Sequence, residues 1–274
     1  MGGGARGLAH IGVLEVLIAN GLAPEAIAGT SMGALVGGFY AAGIAPREME
    51  SLITEMGYAR LIDKPLLGRR PSTMTAFFQR LMIETSRDRL LKRFGVDRGD
   101  RVEAIIKEIV GDRRIEGLKI PFACNAVDII SGREVAYTRG LLRHALRASM
   151  AYPLVFEPVR RGRMLLVDGG LVNAVPVDLA RRLNASPVIA PDVDRSLGKF
   201  PAASKDNVFK LLTRMSQIVF THQDEARLKS SDFSYPVGVN VDDFDFSSPR
   251  AIIARGRKAT EKNLGAIRAL IEGR

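Results

Sequence analysis

One serine of this chain lies between two glycines in a spacing that nucleophilic hydrolases use. Residues 29–33 read Gly-Thr-Ser-Met-Gly, and the G-x-S-x-G pattern is typical of a sharp strand-to-helix turn that lifts its serine, here Ser31, into a cleft. Gly29 and Gly33 leave space beside the serine because they carry no side chains. The pentapeptide alone fits a small-residue turn equally well. A short apolar run before it and a helical run after it favour the nucleophile.

A serine nucleophile needs hydrogen-bond donors for the charged oxygen of its tetrahedral intermediate. The glycine-rich run from Gly2 to Gly7 can direct several backbone N–H groups at one point, at the start of a helix whose dipole favours an anion. The same run matches the G-x-G-x-x-G pattern of dinucleotide-binding proteins. Only Met1 precedes it, however, where that motif needs a strand. The run is therefore interpreted as an oxyanion loop.

The serine also needs a base, and two residues are candidates. Asp168 ends an apolar run just before two glycines, and the carboxyl ends of strands are where α/β folds place their sites. Asp168 is equally suited to cap the helix that follows it. His222 has the chain order that a Ser-Asp-His triad requires, but its polar neighbours indicate a solvated helix face.

Helices and strands must bring these residues together, and the apolar pattern predicts both. Helical spacing follows the glycine run over residues 8–18, and further along two pairs of strands each flank a tight turn. Asp168 ends the last of these strands. After it we expect a helix, a strand, an amphipathic helix near 207–228 and a last helix from Pro249. The expected architecture is a mixed sheet flanked by helices.

Composition excludes several classes of protein. The 274 residues are 46% hydrophobic and 26% charged, which suits one large α/β domain. Cys124 is the only cysteine and the three histidines are scattered, so neither a disulfide framework nor a zinc site is expected. Residues 26–46 carry no charge, but their many glycines argue against a membrane span. The absence of a secretory signal predicts a cytoplasmic protein.

The formal net charge of +10 is unevenly distributed. Residues 60–101 hold eleven basic and five acidic side chains, and residues 250–274 hold seven and two. Such patches suit phosphate groups, whether on nucleic acid or on anionic lipid. The chain has no nucleic-acid-binding motif and only 6% aromatic residues to stack on bases, so no specific nucleic-acid partner is expected.

Taken together, these motifs resemble those of the bacterial patatin-like phospholipases over most of the chain. GGGARG looks like the family's glycine loop, GTSMG like its nucleophile elbow and VDGG like its catalytic Asp-Gly-Gly. ASMAYPLVFEPV and LVNAVPVDLAR look like its connecting segments. The resemblance implies one patatin-like domain over residues 1–274. It also implies a three-layer α/β fold with a central mixed, mainly parallel sheet flanked by helices.

The resemblance further implies an activity and a set of site residues. The reaction would be hydrolysis of lipid acyl esters, of the phospholipid and lysophospholipid class, through an acyl-serine and without a metal or other cofactor. The binding partner would be the lipid ester substrate. Carried over residue by residue, the dyad would be Ser31 and Asp168 with no histidine, and the oxyanion hole Gly2, Gly3, Gly4 and Arg6.

A basic amphipathic stretch at about 61–98 looks inserted into the domain. Its arginines alternate with apolar residues such as Phe77 and Leu81, which suits a lid or a peripheral contact with an anionic membrane. It suits equally well an ordinary helix with its apolar face in the core.

The chain departs from the family pattern at its beginning. The family's glycine loop follows a hydrophobic strand, whereas here the loop starts at residue 2. The expectation is therefore that the start is displaced or truncated, or that this copy is impaired. The alternative function is a non-catalytic lipid- or partner-binding protein on the same fold.

Overall fold

A computed structural model describes residues 3–56, 95–193, 208–241 and 245–273. Within these ranges the helices are α1 (Ala9–Ala19), α2 (Met32–Ala41), α3 (Pro46–Met56), α4 (Asp100–Val110), α5 (Leu142–Ser149), α6 (Val177–Arg182), α7 (Val208–Lys229) and α8 (Pro249–Glu272). Short 3-10 helices cover Gly4–Leu8, Ile115–Gly117 and Gly169–Leu171. The helices predicted after the glycine run, near 207–228 and from Pro249 are confirmed.

Nine strands lie in the described ranges and form three sheets. They are β1 (Ile27–Gly29), β2 (Gly95–Asp97), β3 (Phe122–Asp128), β4 (Arg133–Tyr137), β5 (Leu154–Phe156), β6 (Val159–Arg161), β7 (Met164–Asp168), β8 (Ile189–Asp192) and β9 (Phe233–Pro236). The largest sheet has the order β1-β3-β7-β6, with β4 also paired to β3. Two parallel pairs, β2 with β5 and β8 with β9, complete the set.

The predicted mixed sheet flanked by helices is confirmed, but one part of that prediction needs correction. The five-stranded sheet is mainly antiparallel rather than mainly parallel, since only β1 pairs in parallel with β3. Two of its three antiparallel pairs, β3 with β4 and β6 with β7, arise from the tight turns at Ser131-Gly132 and Arg161-Gly162. A strand that returns through so short a turn can only pair antiparallel with the strand before it.

The register of β3 places the two candidate catalytic residues at the same level of the sheet. β3 is buried along its whole length, as expected for a central strand. Along one edge of β3, Gly29 of β1 pairs with Cys124 and Asp168 of β7 pairs with Ala126, while β4 pairs along the opposite edge. Ser31 follows Gly29 by two residues, so it emerges level with the residue that pairs with Asp168.

Helix α8 packs along α1 with very close backbone contact. A Cβ atom added to Gly256 would lie 2.0 Å from the Ala9 carbonyl oxygen, and one added to Gly12 would lie 2.1 Å from the Ile253 carbonyl oxygen. Only glycine fits at such a crossing. The C-terminal helix therefore shares the core with the helix that follows the glycine loop.

Two expectations concern membranes and metals. Residues 26–46 form β1, α2 and the first residue of α3, and no helix within the described ranges is long and apolar enough to cross a bilayer. Among the same residues, no three His, Cys, Asp or Glu side chains cluster as metal ligands would. The basic stretch predicted at about 61–98 lies outside the described residues except for 95–98, of which 95–97 form β2.

Candidate active site

Ser31 occupies the turn between β1 and α2 in a backbone conformation that side chains rarely adopt. Its φ is 53° and its ψ is −124°, and such strain persists only where the surrounding structure holds it. A Cβ atom on Gly29 would lie 2.5 Å from the Gly33 carbonyl oxygen, so the turn requires glycine there. The Ser31 N–H donates a hydrogen bond of 2.9 Å to Ser149 Oγ. The G-x-S-x-G segment thus has the geometry of a nucleophile elbow.

Asp168 ends β7 and is almost fully buried, at 2% exposure. Its backbone N–H donates to the Ala151 carbonyl, at 3.0 Å, and its Oδ1 accepts from the Gly170 N–H, at 2.8 Å. Within the described part of the chain, Oδ2 has no hydrogen-bond partner of standard geometry. One carboxylate oxygen is therefore held by the turn that follows β7, while the other is buried without a standard hydrogen bond from the described residues.

Burial raises the pKa of Asp168 from its usual value to about 6. Hydrogen bonding from the Ser31 side chain and from the Gly170 N–H opposes this shift, because both stabilise the carboxylate. The Ser31 hydroxyl is thus near Asp168, although its contact is looser than a standard hydrogen bond. Nucleophile and base pairs in ligand-free sites commonly show such loose contacts. Ser31 and Asp168 are therefore a candidate pair of nucleophile and base.

The glycine loop lies at the start of the structure and packs against α2. Gly3 and Gly4 have φ values of 110° and 53°, and Gly4–Leu8 forms the 3-10 helix that contacts α2. The first N–H groups of a helix have no partners within it, so this end of the loop suits an anion. Gly2 lies outside the described residues. The proposed oxyanion role of the loop remains a prediction.

Arg6 makes two contacts that hold the glycine loop in place. Its backbone N–H donates to the Gly3 carbonyl, at 3.0 Å, and its buried guanidinium donates through Nη1 to the Val241 carbonyl, at 3.3 Å. These contacts tie the glycine loop to the segment after β9. Arg6 stabilises the loop's position, and direct contact with an oxyanion remains a prediction.

Among the described side chains, no histidine contributes to the pKa shift of Asp168. The groups that shift the pKa of Asp168 are Ser31 and Gly170, with burial as the largest cause. His144 is about half exposed, and its Nε2 lies 3.7 Å from Glu103 Oε1 of α4. His222 lies in α7, and its side chain is outside what the structure describes.

Four buried polar residues around Ser31 and Asp168 were not predicted from the sequence. Thr30, Asn125, Ser149 and Asn173 are all fully buried. Thr30 Oγ1 lies 2.9 Å from Asn125 Oδ1 and 2.8 Å from the Asn173 carbonyl oxygen. The available signal was a polar residue inside an apolar run, as in PFACNAVD and LVNAV. Such a residue stays in a core only when it is hydrogen-bonded.

Comparison with known proteins identifies the family. The family model for patatin-like phospholipases matches residues 1–181. The chain is 35% identical over 196 residues to an uncharacterized NTE family protein of Mycobacterium tuberculosis. That alignment covers 71% of this chain and 48% of the relative. It is 32% identical over 194 residues to a patatin-like phospholipase domain-containing protein of Caenorhabditis elegans. That alignment covers 70% of this chain and 13% of the relative. The chain belongs to the patatin-like phospholipase family.

The structural comparison agrees on the fold. VipD from Legionella pneumophila aligns over 97% of this chain and 66% of its own, with a TM-score of 0.53 and 14% sequence identity. The chain therefore has a patatin-like α/β fold. The matched segment spans about half the length of the Mycobacterium tuberculosis relative, at 48% of that protein.

Proposed function

We propose that this protein hydrolyses acyl esters of lipids, of the phospholipid and lysophospholipid class, with Ser31 as nucleophile and Asp168 as general base. The observation that carries the proposal is the pairing of a strained serine with a buried carboxylate. Burial raises the pKa of Asp168 to about 6, and the nearby Ser31 hydroxyl opposes part of that rise. A base with such a pKa is ionised at neutral pH yet accepts a proton readily. Membership of the patatin-like phospholipase family supports a lipid substrate.

The proposed reaction has two halves. Asp168 takes the Ser31 proton as Oγ attacks the ester carbonyl carbon, and the resulting oxyanion is stabilised by N–H groups of the glycine loop. The intermediate collapses, Asp168 returns the proton to the departing alcohol, and an acyl-serine remains. Asp168 then takes a proton from water, which attacks the acyl-serine. The fatty acid leaves, and the proton passes to Ser31 Oγ.

Covalent labelling tests this proposal directly. The wild-type protein is expected to acquire a fluorophosphonate adduct at Ser31, located by peptide mass spectrometry, because the probe reacts with activated serines. Ser31→Ala should take up no label. Ser131→Ala is the matched control, since it removes a serine whose hydroxyl is hydrogen-bonded to Asp128, at 2.6 Å, and lies in the β3–β4 turn. It should label like the wild type.

The same experiment distinguishes the alternative function. Folded wild-type protein that takes up no label and releases no fatty acid from phospholipid or lysophospholipid vesicles would contradict the proposal. That outcome would favour the non-catalytic lipid- or partner-binding protein. Label on a serine other than Ser31 would still support an esterase activity but would overturn the assignment of Ser31 as the nucleophile.

We also infer a peripheral contact with anionic lipid, through an apolar stripe on α7. The stripe consists of Leu211, Met215, Ile218 and Val219, which share one face at helical spacing and are 39–54% exposed. The helix itself packs against the turn after Asp168. The net charge of +10 would attract an anionic surface, and the stripe would insert into it.

Vesicle sedimentation measures this contact. Met215→Gln combined with Ile218→Gln is expected to reduce the fraction bound to anionic vesicles several-fold, because the apolar contact is lost. Ile130→Gln is the matched control, since Ile130 is 68% exposed and lies in the β3–β4 turn rather than on α7. Added salt should weaken wild-type binding. Equal sedimentation with neutral and anionic vesicles would contradict the inference.

A further inference from the structure

A hydrogen-bonded cluster of three buried residues joins the nucleophile turn to the base turn. Thr30, Asn125 and Asn173 each have 0% exposure. The Thr30 hydroxyl faces two acceptors, Asn125 Oδ1 at 2.9 Å and the Asn173 carbonyl oxygen at 2.8 Å. Asn125 Nδ2 donates to the same carbonyl, at 2.9 Å. The three residues come from distant parts of the chain and meet beside the dyad.

Two carboxylates fix the orientation of the amides in this cluster. Asn125 Nδ2 also donates to Glu134 Oε1, at 2.7 Å, and Asn173 Nδ2 donates to Glu134 Oε1 and Asp178 Oδ1, both at 2.9 Å. A flipped amide would place its oxygen against these carboxylates, so each amide has only one favourable orientation. Hydrogen bonds to charged acceptors are about twice as strong as neutral ones.

An arginine on α7 closes the outer end of the cluster. Arg227 Nη1 lies 3.5 Å from Asp178 Oδ1, and Arg227 Nη2 donates to the Val172 carbonyl, at 3.1 Å. The guanidinium thus bridges the carboxylate and the backbone next to Asn173. The cluster is held from the sheet on one side and from α7 on the other.

Each member of the dyad is adjacent to this cluster. Thr30 directly precedes Ser31 in the chain. On the other side, a Cβ atom on Gly169 would lie 2.3 Å from Asn125 Oδ1, so the residue after Asp168 packs directly on the cluster. The Asn173 N–H donates to the Gly169 carbonyl, at 2.9 Å. One amide side chain, that of Asn125, therefore touches both turns.

We propose that Thr30, Asn125 and Asn173 are positioning residues, which hold Ser31 and Asp168 at their working separation. The inference rests on the proposed function. The strained backbone of Ser31 needs neighbours that determine its conformation, and the cluster fixes the residue before it. A displacement of about 1 Å between reacting groups costs on the order of 10²-fold in rate. The residues act through the dyad and need not touch the substrate.

Two threonine variants with matched environments test the proposal. Thr30→Val removes a buried hydroxyl that faces a side-chain oxygen and a backbone carbonyl. Thr260→Val removes another, since Thr260 is also 0% exposed and its hydroxyl is within 2.9 Å of both the Tyr235 hydroxyl and the Gly256 carbonyl. Thr30→Val is expected to lower kcat on a p-nitrophenyl ester about 10²-fold with KM within twofold of wild type. Thr30→Ser, which keeps the hydroxyl, should recover most of kcat.

Thr260→Val separates positioning from general loss of stability. Both valine variants should lower Tm to a similar extent, but Thr260→Val should keep kcat within twofold of wild type. A Thr30→Val enzyme with kcat within twofold of wild type would overturn the proposal. An equal loss of kcat in Thr260→Val would also overturn it.

Amide hydrogen exchange tests the inference without requiring activity. In Thr30→Val, peptides that cover residues 29–36 and 168–173 are expected to exchange faster than in wild type, while Thr260→Val leaves both unchanged. Unchanged exchange at both turns in Thr30→Val would overturn the inference. If exchange responds as expected but the wild-type protein neither labels nor turns over ester, the proposed function fails and the structural coupling stands.

Discussion

Ser31→Ala is expected to reduce kcat for a p-nitrophenyl ester about 10⁶-fold, to the background rate, because the acyl-serine can no longer form. Removing the nucleophile of a serine hydrolase has an effect of this order. Remaining turnover reflects the oxyanion donors and substrate binding alone. The measurement is the initial rate of p-nitrophenol release beside that of wild type. Activity above one per cent of wild type would show that another residue is the nucleophile.

Ser31→Gly is the companion variant, and it separates loss of the nucleophilic hydroxyl from relief of the backbone strain at residue 31. Glycine adopts the φ of 53° and ψ of −124° more readily than a residue with a Cβ atom. Strain at such positions costs about 1–3 kcal/mol, and glycine adds conformational entropy to the unfolded chain that offsets part of the relief. Ser31→Gly should therefore be as inactive as Ser31→Ala but more stable by about 1 kcal/mol. A lower Tm for Ser31→Gly than for Ser31→Ala would contradict the strain argument.

The positions of Ser31 and Asp168 could be predicted because their signals are local. A nucleophile turn needs glycines within two residues of the serine, and a base at the end of a strand needs an apolar run immediately before it. The structure places both residues where those patterns put them and at the same level of β3. The sequence did not decide whether Asp168 faces the serine or caps a helix, because that depends on tertiary structure. Its Oδ1 does accept from the Gly170 N–H, so Asp168 both caps the next turn and faces Ser31.

The buried cluster could not be predicted, because the hydrogen bonds that join its three members connect distant parts of the chain. Thr30 and Asn125 are 95 residues apart, Thr30 and Asn173 are 143 apart, and Asn125 and Asn173 are 48 apart. No local pattern reports which distant carbonyl or amide a buried threonine will meet. The sheet shows both cases. The antiparallel pairs β3–β4 and β6–β7 follow from two tight turns that the sequence does display, whereas the β3–β7 pair joins distant segments and has no local signal.

Asp168→Asn is expected to reduce kcat about 10⁴-fold, since an amide cannot take the Ser31 proton. The shape and the hydrogen bond from Gly170 are retained, because the amide oxygen can replace Oδ1. In the wild type, kcat/KM should rise with pH through about 6 and then level off, as Asp168 ionises. The measurement is the pH profile of ester hydrolysis from pH 4.5 to 8. A profile that stays flat across pH 6 would contradict the role of Asp168 as base.

The same variant should stabilise the fold at neutral pH. The pKa of Asp168 is raised by burial, so the folded state holds this proton more tightly than the unfolded state does. The stability that the protonated group contributes is complete below its unfolded pKa of about 4 and is lost as pH rises through about 6. A shift of about two pKa units corresponds to about 3 kcal/mol. Asparagine does not ionise, so the Tm difference between Asp168→Asn and wild type should grow between pH 4 and pH 6 and then stay constant.

Asp128→Asn is the matched control, and its effect should have the opposite sign. Asp128 is also buried and lies on the neighbouring strand, but it accepts hydrogen bonds from the Ser131 hydroxyl and the Leu165 N–H, which lower its pKa. A lowered pKa contributes stability above the unfolded pKa that is lost in acid, so Asp128→Asn should lower Tm at pH 7. Stabilisation by Asp168→Asn together with destabilisation by Asp128→Asn would show that the ionised carboxylate destabilises the fold at Asp168 but not at Asp128. If both variants lower Tm at pH 7, the ionised Asp168 does not destabilise the folded state as its raised pKa implies.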